Sequence, residues 1–214
     1  MVQIKICGIT NLEDAHGAVK AGADALGFNF YPESPRYVTS LGARHIIESL
    51  PTHILCVGVF VNERPETVAR IANEAGLSGL QFHGDETPEY TARFNRRPVG
   101  RRFLFKALRV GQDFEPQAAA RYETDAILLD AFDPQARGGT GRTCDWELAR
   151  RTRALVPKLF LAGGLSPDNI EEAITTVQPY GVDACSGLES EPGRKDWARL
   201  RDFIRRARAA PVKP

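Results

Sequence analysis

The sequence has few cysteines, no long apolar run and no excess of charge of either sign. Its four cysteines, Cys7, Cys56, Cys144 and Cys185, form neither a CxxC pair nor a zinc-type cluster with histidine. No stretch approaches the ~18 apolar residues that cross a bilayer, and no segment resembles a secretory signal. The formal net charge of +1 gives no general attraction to nucleic acid or anionic membrane. These absences predict a cytoplasmic protein with free thiols that binds neither nucleic acid nor membrane.

Short β-rich runs alternate with helical patterns along the whole chain. Eight such runs in 214 residues predict an α/β fold, a single (β/α)8 TIM barrel that spans residues 1–214 as one domain. A doubly wound open sheet is the alternative. The predicted strands are Gln3–Cys7, Ala25–Phe30, Ile54–Val61, Gly79–His83, Phe103–Ala107, Ala126–Asp130, Lys158–Ala162 and Gly181–Cys185.

Capping signals place a helix after each strand. Asn11 opens the first helix and Gly22 closes it, since a side-chain acceptor and a glycine are typical of the two ends. The other predicted helices begin at Ser40, Pro65 and Thr87, cover Asp113–Ala120 and Trp146–Val156, begin at Ser166, and cover Trp197–Ala209.

Alternation along the strands predicts which side chains face the barrel axis. In the first strand Ile4 and Ile6 face the helices, so Lys5 and Cys7 face inward. The same rule turns a further set of polar side chains inward: Gln81, His83, Asp130, Asp183 and Cys185. Active sites of such barrels lie at the carboxyl ends of the strands, where Cys7, His83, Asp130 and Cys185 fall.

Cys7 and Asp130 are the candidate acid–base residues. A thiolate can act as a base when positive charge lowers its pKa, and Lys5 lies on the same strand face. The alternative for Cys7 is a small buried apolar side chain. Asp130 follows three large apolar residues and is either a helix cap or a strand-end acid; the following Ala-Phe-Asp-Pro is a poor helix start.

Glycine-rich loops predict an anion site. Gly163 and Gly164 follow the seventh strand, and Ser186 and Gly187 follow the eighth, where barrels of this type bind phosphate. Two ordinary turns are the alternative. A third cluster, Gly138–Gly141 between Arg137 and Arg142, is interpreted as a mobile loop over an anionic ligand. Arg36 in Ser34-Pro35-Arg36 suits a carboxylate or phosphate, or is simply a surface arginine.

Nine segments together resemble the phosphoribosylanthranilate isomerase family of tryptophan biosynthesis. They occur in the order Lys5–Thr10, Gly27–Phe30, Ser34–Arg36, Val57–Asn62, Leu80–Asp85, Leu128–Asp130, Gly138–Gly141, Leu161–Asn169 and Gly181–Glu189. The resemblance implies a (β/α)8 barrel without cofactor or metal that performs an Amadori rearrangement of a phosphorylated small molecule. It implies that Asp130 is the general acid, Cys7 the general base and Arg36 the ligand of the anthranilate carboxylate. Gly163, Gly164, Ser186 and Gly187 are implied to bind phosphate.

Cys185 departs from the small hydroxyl or amide residue that the family more often carries. Since the eighth strand neighbours the first in a closed barrel, we expect Cys185 near Cys7 and hypothesise that the two thiols pair under oxidation. The inward-facing Lys5 and Asp183 are expected to form an ion pair. The oligomeric state is left open between monomer and homodimer.

Three other functions compete with this interpretation. A related isomerase of the histidine pathway is expected to have aspartate where Cys7 stands. A phosphate-binding barrel without catalysis would tolerate loss of Cys7 and Asp130. A redox sensor would use Cys7 and Cys185.

Overall fold

Eight parallel strands close into a barrel in chain order. The computed structural model describes residues 1–95, 101–111, 114–130 and 146–211. The strands are β1 (Gln3–Ile6), β2 (Ala25–Asn29), β3 (Leu55–Phe60), β4 (Gly79–Phe82), β5 (Phe103–Arg109), β6 (Ala126–Asp130), β7 (Leu159–Ala162) and β8 (Gly181–Ala184). β8 pairs with β1 and completes the circle, which confirms the predicted TIM barrel and excludes the open sheet.

Helices cover the outside of the barrel. They are α1 (Leu12–Ala21), α2 (Ser40–Ile47), α3 (Pro65–Ala75), α4 (Pro88–Asn95), α5 (Trp146–Arg153), α6 (Ile170–Val177) and α7 (Trp197–Ala209). At α1 the predicted caps are confirmed: Asp14 N donates to Asn11 Oδ1 at 2.8 Å, and Gly22 has a φ of 106°. None of the helices in the described ranges is long and apolar enough to cross a membrane.

The predicted fifth helix is wrong in type. Where Asp113–Ala120 was expected as an α-helix, the chain forms a 3₁₀ helix over Pro116–Arg121, and Asp113 itself lies outside the described residues. A length of only six residues leaves few α-type hydrogen bonds to form.

Two further helix boundaries and one hairpin differ from the prediction. α5 ends at Arg153 rather than at Val156, and α6 begins at Ile170 rather than at Ser166. Ser166 N donates to Asn169 Oδ1 at 2.9 Å, which closes a turn ahead of that helix. A hairpin of β9 (Glu189–Glu191) and β10 (Arg194–Lys195), which turns at Gly193, was not predicted.

The barrel interior has an apolar half and a polar half. Phe105 and Phe160 meet edge to face at 5.0 Å and, with Val57 and Leu128, fill the interior as a packed core. Nearer the carboxyl ends the inward side chains are polar: Lys5, Gln81 and Asp183 are all buried. The apolar half therefore forms the floor of a polar cavity.

Candidate active site

One cavity of about 300 Å³ opens at the carboxyl ends of the strands. It brings together every site residue predicted within the described ranges: Cys7, Arg36, Asp130, Gly163, Gly164, Ser186 and Gly187. The inward-facing Gln81, His83, Asp183 and Cys185 line it too. The predicted loop at Gly138–Gly141, with Arg137 and Arg142, lies outside the described residues.

A buried ion pair lies beneath Cys7. Lys5 Nζ is 2.9 Å from Asp183 Oδ2, and the Lys5 side chain is fully buried, so the ion pair predicted from the strand pattern is confirmed. Burial alone would lower the pKa of Lys5, but the charges of Asp183 and Cys7 outweigh burial and raise it. Lys5 therefore stays protonated and holds positive charge next to Cys7.

Two thiols from neighbouring strands meet in the cavity. Cys7 N donates to Ala184 O at 2.9 Å, so Cys7 lies beside Cys185 at the ends of β1 and β8. A hydrogen bond from the Cys185 thiol lowers the pKa of Cys7; burial opposes it, and Lys5 and Lys195 add to the lowering. The same bond, followed by burial, raises the pKa of Cys185. The arrangement therefore favours ionisation of Cys7 over that of Cys185.

Asp130 lines the same cavity as Cys7, and β7 and β8 lie between their strands in the circle. Asp130 Oδ2 is 3.2 Å from His83 Nε2, and His83 Nδ1 is 2.8 Å from Gln81 Nε2. Gln81 of β4 and His83, which follows β4, thus form a chain of hydrogen bonds that orients the carboxyl group. The base and acid candidates therefore line one cavity from two different strands, β1 and β6.

Two glycine loops make the third wall. Gly163 and Gly164 have φ values of 84° and 63°, a conformation that glycine adopts without strain. A Cβ on Gly187 would lie 2.2 Å from Leu165 O, so only glycine lets the loop after β8 approach the loop after β7. The backbone is therefore exposed to the cavity without side chains over it, as phosphate-binding loops require.

Two charged residues at the site escaped the sequence analysis. Glu189 accepts hydrogen bonds from Arg36 Nε at 2.9 Å and from Lys195 Nζ at 2.9 Å. Lys195 Nζ also donates to Cys7 O at 2.7 Å. Both residues belong to the hairpin after β8, where strand alternation gives no guidance. The only sequence feature that could have indicated this hairpin is the turn dipeptide Pro192-Gly193 between the two residues.

In the described ranges, no group of three or more His, Cys, Asp or Glu side chains is arranged to hold a metal ion.

Comparison with known proteins gives one consistent result. Residues 4–206 match the family model of N-(5'phosphoribosyl)anthranilate (PRA) isomerase. A relative with the name N-(5'-phosphoribosyl)anthranilate isomerase, from Geobacter sulfurreducens, is 51% identical over 208 residues, which are 97% of this chain and 99% of the relative.

Solved structures agree with the sequence match. The phosphoribosyl anthranilate isomerase of Thermotoga maritima is 42% identical with a TM-score of 0.90, over 98% of this chain and 100% of that chain. Another isomerase structure, in complex with reduced 1-(o-carboxyphenylamino)-1-deoxyribulose 5-phosphate, is 41% identical with a TM-score of 0.87 over the same shares.

Proposed function

Because this chain belongs to the N-(5'-phosphoribosyl)anthranilate isomerase family of tryptophan biosynthesis, we propose that Cys7 and Asp130 are the general base and general acid of an Amadori rearrangement. The substrate is N-(5-phosphoribosyl)anthranilate, and the product is 1-(o-carboxyphenylamino)-1-deoxyribulose 5-phosphate. The observation that carries the proposal is that a thiol with a lowered pKa and a carboxyl group line one cavity from two different strands.

The chemistry needs one proton donated and one removed. Asp130 donates a proton to the furanose ring oxygen, the bond from that oxygen to C1 breaks, and the nitrogen lone pair forms a Schiff base. The Cys7 thiolate then takes the proton from C2, and the electrons of that C–H bond give an enolamine. Tautomerisation to the ketone completes an isomerisation without net gain or loss of atoms.

His83 supports the proposed role of Asp130. Gln81 Nε2 donates to His83 Nδ1 at 2.8 Å and so fixes the orientation of the ring. His83 Nε2, 3.2 Å from Asp130 Oδ2, in turn holds the carboxyl group in place. In this proposal His83 orients Asp130 and does not react with the sugar itself.

The two anionic ends of the substrate match two sites of the cavity. The exposed backbone at Gly163, Gly164, Ser186 and Gly187 is proposed to bind the phosphate. Arg36 is proposed to bind the anthranilate carboxylate, because its planar guanidinium pairs with two oxygens at once. A volume of about 300 Å³ is at the lower end of ordinary small-molecule sites.

Turnover by the unmodified protein is the first test. Freshly generated phosphoribosylanthranilate is added, and the loss of anthranilate-type fluorescence is followed. We expect saturable turnover that persists after dialysis against EDTA, because acid and base are side chains of the chain. A protein that is folded by circular dichroism but shows no turnover would overturn the proposal and leave a binding barrel or a thiol sensor. Parallel assay of the histidine-pathway aminoaldose tests the related isomerase, which Cys7 disfavours.

Oxidation is predicted to stop the enzyme through the neighbouring thiols. Diamide takes two electrons and two protons from Cys7 and Cys185 and leaves one S–S bond, which consumes the proposed base. We expect activity to disappear with diamide and to return with dithiothreitol. Peptide mass spectrometry without reductant locates the bond and separates it from reactions of Cys56 and Cys144.

The matched variant for this test is Cys185→Ser, compared with itself before and after diamide. The activity of Cys185→Ser after diamide is expected to equal its activity before diamide. Equal loss, or equal survival, in the unmodified protein and in this variant would contradict the pairing.

We further propose that residues 1–214 act as one domain in the cytoplasm, as a monomer or a homodimer. Sedimentation equilibrium distinguishes the two assemblies.

A further inference from the structure

Arg36 is held by a buried carboxylate along one edge of its guanidinium. Nε lies 2.9 and 3.0 Å from the two oxygens of Glu189, and Nη2 lies 2.5 Å from Oε2. The Glu189 side chain is 4% exposed, whereas that of Arg36 is 21% exposed. The carboxylate thus lies behind the cavity wall, and Arg36, which it holds, lines the cavity.

The stem of Arg36 is fixed as well as its head. Gly8, with a φ of 75°, lies so close that a Cβ there would be 2.7 Å from Arg36 Cδ. Arg36 N donates to Ser34 Oγ at 3.1 Å, and Ser34 Oγ also accepts from Asn29 Nδ2 at 3.1 Å. With the Nε edge on Glu189, the second edge, Nη1 with the remaining hydrogen of Nη2, meets no acceptor among the described residues.

Lys195 explains why an acid next to Arg36 does not repel a second carboxylate. Its Nζ lies 2.9 Å from Glu189 Oε1, and its side chain is fully buried. The charge of Glu189 is therefore matched inside the protein by Lys195. Arg36 keeps one positive charge for a ligand, on the edge that Glu189 leaves open.

We propose that Glu189 is a positioning residue that determines selectivity for a carboxylate on the substrate's aromatic ring. It holds the Nε edge of Arg36 so that the Nη edge stays aimed into the cavity and receives both carboxylate oxygens. A preoriented guanidinium loses less side-chain freedom on binding, and the gain appears only for ligands that carry the carboxylate. This inference rests on the proposed role of Arg36.

The test compares two ligands that differ only in the carboxylate. The first is reduced 1-(o-carboxyphenylamino)-1-deoxyribulose 5-phosphate, and the second is the phenylamino compound without the carboxyl group. Both dissociation constants are measured by calorimetry. The ratio used here is the dissociation constant of the compound without the carboxyl group divided by that of the compound with it. We expect at least about a tenfold ratio in the unmodified protein. Glu189→Gln should lower the ratio several-fold, and Arg36→Met should bring it close to one.

A double variant shows whether Glu189 acts through Arg36. In the Arg36→Met background, Glu189→Gln is expected to leave the ratio unchanged, because the residue it positions is absent. In the Glu189→Gln variant alone, KM for phosphoribosylanthranilate should rise by about the same factor by which the ratio of dissociation constants falls. Equal weakening of both ligands by Glu189→Gln would mean a purely structural role and would overturn the inference.

Two further variants guard against misfolding and against nonspecific charge effects. Glu189→Asp keeps a negative charge for Lys195, but the carboxylate is one methylene further from Arg36. This variant too should lower the ratio of dissociation constants. An unchanged ratio would overturn the inference. Glu191→Gln makes the same chemical change at an exposed position of β9 and should match the unmodified protein.

The inference and the proposed activity fail separately. An Arg36→Met protein with an unchanged ratio would refute the positioning of a carboxylate ligand, while turnover by the unmodified protein would leave the activity standing. Absence of turnover would refute the activity whatever the ratio.

Discussion

Replacing Cys7 with alanine is expected to lower kcat by roughly 10²- to 10⁴-fold, the usual contribution of a general base. The variant keeps the Lys5–Asp183 ion pair, the hairpin and the phosphate loops, so it loses the proton acceptor and little of the binding surface. The affinity for reduced product should change far less than kcat.

The pH profile of the unmodified enzyme gives a second signature of Cys7. Its thiol has a pKa below the ordinary value, so the thiolate is present above that lowered pKa and is lost as the pH falls through it. The rate should fall on the acidic side for this reason. The residual rate of Cys7→Ala should not show this fall at acidic pH.

Cys56→Ala is the matched control for this prediction. Cys56 is a buried thiol on β3 outside the cavity, and burial raises its pKa to about 11, so it cannot act as a base near neutrality. A folded control should keep its kcat. If Cys7→Ala also kept its kcat, the base would have to be sought elsewhere, with Cys185 and His83 as the next candidates.

Replacing Asp130 with asparagine should lower kcat by a comparable factor, roughly 10²- to 10⁴-fold. Asparagine has nearly the same shape and can still hydrogen bond to His83, so the wall of the cavity is preserved. The amide cannot deliver a proton to the ring oxygen. Ring opening then becomes the slow step, which single-turnover kinetics detects as slow disappearance of bound substrate.

Asp125→Asn is the control for the acid. Asp125 lies at the opposite end of β6, where it accepts from Leu104 N and pairs with Arg101. Its loss can cost stability but leaves the cavity untouched, so kcat per folded molecule should be retained. Full activity in Asp130→Asn would remove Asp130 from the mechanism and make His83 the candidate acid.

Strand alternation was sufficient to predict the inward side chains. A strand has a side-chain period of two, so once Ile4 and Ile6 are assigned outward, Lys5 and Cys7 must face the axis. The same geometry correctly predicted the Lys5–Asp183 pair, because closure of the barrel makes β1 and β8 neighbours. Sequence and geometry agree here because both residues lie within strands of the barrel, where alternation determines which way each side chain points.

The prediction failed where contacts join distant loops. Glu189 reaches Arg36 across 153 positions and Lys195 reaches Cys7 across 188, and neither belongs to a strand of the barrel. The segment Pro116–Arg121 failed for a local reason, since six residues form few i→i−4 hydrogen bonds and the segment takes the 3₁₀ form. Roles assigned to Cys7, Asp130, Arg36 and the glycine loops remain predictions for the experiments above.

The fastening of the last hairpin to the first helix has a consequence for how the protein is made. Thr10 Oγ1 donates to Gly193 O at 2.6 Å, and Lys195 N donates to Asp14 Oδ2 at 3.0 Å. A growing chain on the ribosome carries Lys5 and Cys7 long before it carries their partners, because Asp183 follows Lys5 by 178 positions and Lys195 follows Cys7 by 188. Chains that terminate between these positions therefore contain the thiol without the charges that surround it in the folded protein, and the site can form only after the β9–β10 hairpin has been made.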